Sequence, residues 1–252
     1  MEFEEVVQAA LGGDVDAMCA VGNAHFQNND VREASEWFER AADAGSRVGR
    51  MLAMMGYEMD AIACEIIGDY KDALASRQKS FYFMNEILGD EEESDDNMQK
   101  ASDIFSSTML GIGGNMYVLG QKEDAVTPLE LAAERGELMA KVFLGLYYIT
   151  TATAQDGYAS ARKGVQFLET FFRSDFTFTE SSRLHQGAVH MGHCMLATAY
   201  RVGLGGSTPD NTKAYECLLH LQAQNLKYYA EEVREELAKY KKGLLGGYKY
   251  IG

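Results

Sequence analysis

The residues best suited by type to do chemistry are His190, His193 and Cys194. Two imidazoles at i and i+3 share a helix face, and with the thiol and His185 they make a partial ligand set for zinc or copper. A zinc site takes three or four converging ligands, and this sequence has neither a metalloprotease motif nor a second matching cluster. The preferred reading is an ordinary helix, HMGHCMLATAY, whose polar atoms are satisfied locally, so no metal and no cofactor is assigned. The acidic run Asp90–Asp96, DEEESDD, lacks the glycine and the terminal glutamate of a calcium loop and is expected to be a solvated connector. Gly111-x-Gly113-Gly114 and Gly203-x-Gly205-Gly206 resemble fragments of phosphate loops. Neither is followed by Lys-Ser/Thr or placed between a strand and a helix, so both read as packing glycines. There is no Gly-x-Ser-x-Gly elbow and no nucleophile paired by motif with a base. The chain is therefore expected not to be an enzyme.

What remains is the frame that would position such residues. The chain has 252 residues, 46% of them hydrophobic, enough for a large core, and its two prolines favour helices over many short strands. A formal charge of −15 argues against nucleic acid, which needs a basic surface, and against an anionic membrane face. No stretch reaches the ~18 apolar residues of a membrane span. The first residues, MEFEEVVQAALGGD, are acidic and carry no basic segment before an apolar run. Cys19, Cys64, Cys194 and Cys217 show no paired spacing and read as reduced, buried thiols. A cytoplasmic setting is expected, a removed signal aside.

Self-comparison exposes a repeat. Ala17–Gly45 aligns without a gap on Thr108–Gly136 at a constant offset of 91 residues. Gly22 falls on Gly113, Ala34 on Ala125, Phe38 on Leu129, Ala41-Ala42 on Ala132-Ala133 and Gly45 on Gly136. Gly22 and Ala34 would let two helix backbones approach closely. Ala34, Trp37, Phe38, Ala41 and Ala42 form one apolar helix face. Gly45 is placed for a left-handed C-cap, and Asn28-Asn29-Asp30 for the intervening turn, with Asp30 as N-cap. Pro128 stands where the offset puts Trp37, so its helix should start late or bend.

Weaker copies divide the chain into a truncated repeat at 1–13, repeats at 14–45, 46–89, 97–136, 137–173 and 183–224, a capping helix at 225–242 and a tail at 243–252. The first helix of the 46–89 repeat, about Arg47 to Ile67, is overlong. A loosened turn is read near Gln155-Asp156-Gly157 and a polar connector at Thr177–Ser182. In the capping helix Glu235 and Lys239 are spaced as an i,i+4 pair, and the tail is either floppy or folded back.

The pattern resembles the tetratricopeptide superfamily, and more closely its Sel-one-like subfamily. That family's repeat runs Ala…Leu-Gly-x-x-Tyr-x-x-Gly-x-Gly…Asp-x-x-Lys-Ala-x-x-Trp…Ala-Ala-x-x-Gly. The first repeat supplies Ala17, Gly22, Ala34, Trp37, Ala41, Ala42 and Gly45, with His25 at the tyrosine. The last supplies Tyr200, Gly203, Gly205, Asp210, Lys213 and Ala214, without the terminal Ala-Ala and glycine. The resemblance implies an all-α fold: a right-handed α-α superhelix of about five stacked helix–turn–helix repeats closed by a capping helix. It also implies a protein-interaction scaffold whose first helices line a concave peptide-binding surface. Mapped residue by residue, that groove would carry Asp16, Asn23, Phe26, Gln27, Glu58, Glu65, Tyr117, Ile149, Thr198 and Arg201. Its acidity implies a basic or neutral extended partner. The alternative is a metal- or small-molecule-binding protein using the region near His190 and His193.

Overall fold

A computed structural model of the chain describes residues 3–153, 155, 158–174, 183–206, 208–243 and 246–252. Asp156 and Gly157 of the expected loosened turn, and the Thr177–Ser182 connector, lie outside the described residues. Among those described, the fold is helical except for one two-stranded hairpin. Twelve α-helices follow in chain order: α1 (Phe3–Leu11), α2 (Val15–Gln27), α3 (Val31–Asp43), α4 (Arg47–Ile67), α5 (Tyr70–Leu88), α6 (Asp95–Val118), α7 (Val126–Glu134), α8 (Leu138–Thr150), α9 (Ala159–Phe172), α10 (Arg183–Val202), α11 (Asn211–Ala223) and α12 (Ala230–Ala238). Strands β1 (Tyr240–Lys242) and β2 (Tyr248–Tyr250) close the chain. The span 1–13 holds α1 alone, and α6 begins at Asp95, two residues before the span 97–136, which also holds α7. The chain divides into two compact units, Met1–Leu119 and Gly120–Gly252.

In the first unit each helix packs on its neighbour in sequence, α1 on α2 through to α5 on α6. Local signals set the boundaries. Asp14, Ser46, Asp69 and Ser94 each accept a hydrogen bond from a backbone N–H in the first turn of the helix that follows. Gly45 ends α3 at φ +91°, the left-handed cap its position predicts. Asp30 stands at the N-cap of α3 but makes no capping bond; its carboxylate lies 3.7 Å from His25 Nδ1 instead. The core gathers Ala34, Phe38, Met51, Met54, Tyr57, Phe83, Met84 and Ile87. A Cβ on Gly22 would come within 2.5 Å of the Phe38 ring, so α2 and α3 approach closely because residue 22 has no side chain.

The acidic run is not simply solvated. Asp90 accepts from Arg50 at 2.5 Å, Glu93 is buried beside the same guanidinium, and Glu92 pairs with Arg47. The loop is thereby tied to the first turn of α4, because two arginines there need counter-charges.

In the second unit α8 packs on α7, α9 and α10, and α11 on α10, α12 and β2. The offset places the start of α7 at Lys122, yet the helix begins at Val126, and Pro128 sits in its first turn, where its missing N–H costs little. Gly145 of α8 meets Gly164 and Leu168 of α9 at backbone distance. Gly203, Gly205 and Gly206 are not mainly packing glycines: all three have positive φ and build a tight turn after α10. The closing helix is shorter than 225–242. It ends at Ala238, and Tyr240–Lys242 pairs antiparallel with Tyr248–Tyr250. Tyr248 stacks on Tyr215 of α11 with ring centroids 3.6 Å apart, which offsets the shortening, and the described part of the tail folds back. Lys239 pairs with Glu236 rather than Glu235.

Candidate interaction surface

The site is built from α4, which buries its carboxylates while leaving one row of its apolar residues exposed. Glu58, Asp60 and Glu65 are buried, whereas Val48, Met55, Met59, Ile62, Ile66 and Ile67 are exposed, from 43% at Met59 to 79% at Ile67. From Val48 to Ile67 every exposed residue of α4 is apolar. With half-buried Leu52, the positions 48, 52, 55, 59, 62 and 66 alternate spacings of four and three. That is a single seam along one side of a helix, about 27 Å long at 1.5 Å per residue.

Polar partners on both flanks fix which side of α4 faces out. Glu58 and Glu65, two turns apart, share one flank. Arg77 of α5 lies between them, with Nη1 2.5 Å from Glu58 Oε2 and Nε 3.0 Å from Glu65 Oε1. Thr108 of α6 donates to Glu58, and Asn115 donates to Glu65 at 2.9 Å. Gly111 of α6 makes room, since a Cβ there would overlap the Arg77 guanidinium. Burial pushes the Glu58 carboxyl above the usual carboxylate range, while Arg77 pulls it back down. The other flank carries Asp60, which accepts from Arg32 at 3.3 Å and from Ser76 at 2.5 Å. Gly49 and Gly56 lie on this flank too, against Ala41-Ala42 and Ser35 of α3. Rotating α4 to bury its seam would strip every one of these charges of its partner.

The sequence-mapped groove is therefore corrected at three positions, Glu58, Glu65 and Tyr117. Glu58 and Glu65 do not line an open surface: they are buried against Arg77, because uncapped charge inside the bundle requires a counter-ion. Tyr117 is buried in α6 as well. Asp16, Asn23, Phe26 and Gln27 are exposed on α2. In the second unit Ile149 is half-buried on α8, Thr198 is exposed on α10, and the Arg201 guanidinium lies 4.2 Å over the Tyr250 ring. The seam residues were not among the mapped positions. Their signal was the 4-3-4-3-4 spacing within RVGRMLAMMGYEMDAIACEII, hidden because α4 is apolar on other sides too.

Charge is distributed unevenly. Residues 1–119 hold 23 Asp and Glu against 8 Lys and Arg, a net of −15, and residues 120–252 hold 15 of each. The whole formal charge of the protein thus belongs to the unit that carries the seam.

The histidine cluster does not assemble a ligand set. Nδ1–H of His193 donates to Val189 O at 2.8 Å, which fixes the tautomer and leaves Nε2 to accept from His220 Nδ1 at 3.2 Å. Burial holds the His193 imidazole down at about 3, so it is neutral at pH 7. His190 stacks on Tyr229 and lies 3.7 Å from Cys194 Sγ, whose thiol burial pushes up to about 11. Among the described residues no three His, Cys, Asp or Glu side chains are grouped to hold a metal ion. None of the described helices is long and apolar enough to cross a membrane.

Compared with known proteins, the chain matches no family model and no curated sequence.

Proposed function

We propose that this protein is an interaction scaffold of the tetratricopeptide-like, Sel-one-like kind, a right-handed stack of helix pairs that holds a partner protein and performs no reaction of its own. The observation that carries the reading is the exposed apolar seam of α4, flanked by buried ion pairs that keep it turned outward. A contiguous apolar surface on a chain otherwise rich in charge marks a contact site. The offset repeat, the consecutive packing of helix pairs in the first unit and the left-handed glycines Gly13, Gly45 and Gly136 support the repeat architecture. A reducing, cytoplasmic setting belongs to the same reading and is supported by four free cysteines. The alternative, metal or small-molecule binding near His190 and His193, is disfavoured because both His193 nitrogens are already engaged within the fold.

The test is affinity capture from the native host with the wild-type chain, a Met59→Glu/Ile62→Glu variant and a Thr198→Ala/Arg201→Ala variant, each first shown by circular dichroism to be folded. The α4 variant should lose the captured partner, and the α10 variant should keep it. Loss on the α10 variant alone would move the site to the second unit and overturn the reading.

A further inference from the structure

We infer that the occupant of the α4 seam is an amphipathic α-helix with basic flanks, rather than an extended peptide or a second copy of this chain. This rests on the interaction reading above and names the partner's chemistry. Three observations carry it.

The first is hydrogen bonding. Inside α4 the backbone N–H and C=O groups are used by the helix itself, and from Val48 to Ile67 its exposed side chains offer no donor or acceptor. An extended peptide pressed on that surface would bury backbone groups with nothing to pair them, each at a cost comparable to a lost hydrogen bond. A helix satisfies its own backbone and can present a purely apolar stripe.

The second is spacing. Val48, Leu52, Met55, Met59, Ile62 and Ile66 alternate four and three, the period at which a facing helix inserts its side chains as knobs into holes. The seam accommodates about 18 residues of partner helix at 1.5 Å per residue. Met55 and Met59 supply flexible, polarizable contacts that adapt to the partner's side chains.

The third is charge. A second copy would bring another −15 to a unit that already carries −15. A helix with Lys and Arg beside its apolar stripe meets the opposite field, gains in association rate and avoids the wrong partners.

The experiment uses the full chain and four synthetic peptides of about 20 residues. One has a Leu/Ile stripe at i, i+3, i+4 and i+7 with Lys/Arg flanks. The second has the same composition, scrambled to remove the stripe. The third has the stripe with Glu flanks. The fourth is the basic stripe peptide with two central prolines. Binding is read by fluorescence anisotropy, helix content by circular dichroism, and self-association by sedimentation velocity.

The basic stripe peptide should bind with a gain in helicity, and the other three about tenfold more weakly or not at all. Raising salt from about 50 to 500 mM should weaken it severalfold. Met59→Glu/Ile62→Glu should abolish binding, and the milder Ile66→Ser should weaken it while leaving the melt unchanged. Equal binding by the scrambled or proline peptide refutes a helical partner, and tighter binding by the Glu-flanked peptide refutes a basic one. A stable dimer that dissociates in Met59→Glu/Ile62→Glu assigns the seam to a second copy and overturns the inference. If none of the peptides binds while affinity capture still depends on α4, the helix is wrong and the docking site stands. If capture ignores α4, the docking site itself falls.

Discussion

Replacing Arg77 by Met should be among the most damaging single changes in the first unit, and in a way that depends on pH. The guanidinium is 7% exposed and pairs with Glu58 and Glu65 together. Methionine fills a similar volume but leaves two buried carboxylates with neutral donors such as Thr108 and Asn115 and no cation. Removing one partner of a buried ion pair costs about 3–5 kcal/mol, a large share of the roughly 5–15 kcal/mol that keeps a domain folded. The Glu58 carboxylate has one escape, which is to take up a proton. Burial already raises Glu58, and Arg77 is the largest of the effects that oppose it, so in the variant its folded-state pKa moves further above the unfolded value. A carboxyl raised in this way destabilises the fold above its folded pKa and ceases to do so as pH falls toward the unfolded value. The deficit of the Arg77→Met chain should therefore shrink between pH 7.5 and 5.5. The triple variant Glu58→Gln/Glu65→Gln/Arg77→Met should recover most of the stability at both. Urea unfolding followed by the single tryptophan, Trp37 in α3, is the assay, since that residue reports on this unit. A deficit under about 1 kcal/mol, or one that neither pH nor the glutamines relieve, would mean that the ion pairs are not what holds α4 in place.

Two further outcomes are expected. Gly22→Leu should lower stability by about 1–3 kcal/mol, because the side chain would overlap Phe38, which is 2% exposed and has nowhere to swing; Gly113→Leu should do likewise in the core of α6, and unchanged melts in both would show the repeat register to be wrong. His193, held at about 3 against roughly 6.5 when unfolded, contributes stability above pH 6.5 that is lost as pH falls toward 3. At pH 4.5 the loss amounts to about 2–3 kcal/mol, and parallel pH slopes for wild type and His193→Gln in denaturant titrations would contradict it.

The helices were legible because their signals are local. Ala34, Phe38, Ala41 and Gly45 announce both a buried face and its end, and the spacing from Arg47 to Ile67 matches α4 to the residue. Pro128 announced the delayed start of α7. The hairpin was not legible, since Tyr240–Lys242 continues an acceptable helical pattern, and its ladder with Tyr248–Tyr250 packs on Tyr215 of α11, twenty-five residues before Tyr240. The surface was misread for a related reason. The mapping from the resembling repeat puts Glu58 and Glu65 on an open helix surface, where carboxylates ordinarily lie. Their inward turn depends on Arg77, twelve and nineteen residues further along, and on Thr108 and Asn115, each fifty residues from its partner. Nothing in α4 alone announces those partners.

The two units also differ in how soon a growing chain can shelter its apolar surface. In the first, each helix leans on the one just made, so α2 can be covered once α3 exists and α4 once α5 exists, with little waiting. In the second, α8 is nearly all core, with Met139, Val142, Phe143, Leu144 and Leu146 buried, and part of its cover comes from α10. Val142 meets Gly192, fifty residues later. At a synthesis rate of about 5–20 residues per second, that surface stays open for several seconds after α8 emerges. The half of the molecule without net charge is thus the half that leaves its stickiest helix uncovered longest during its own manufacture.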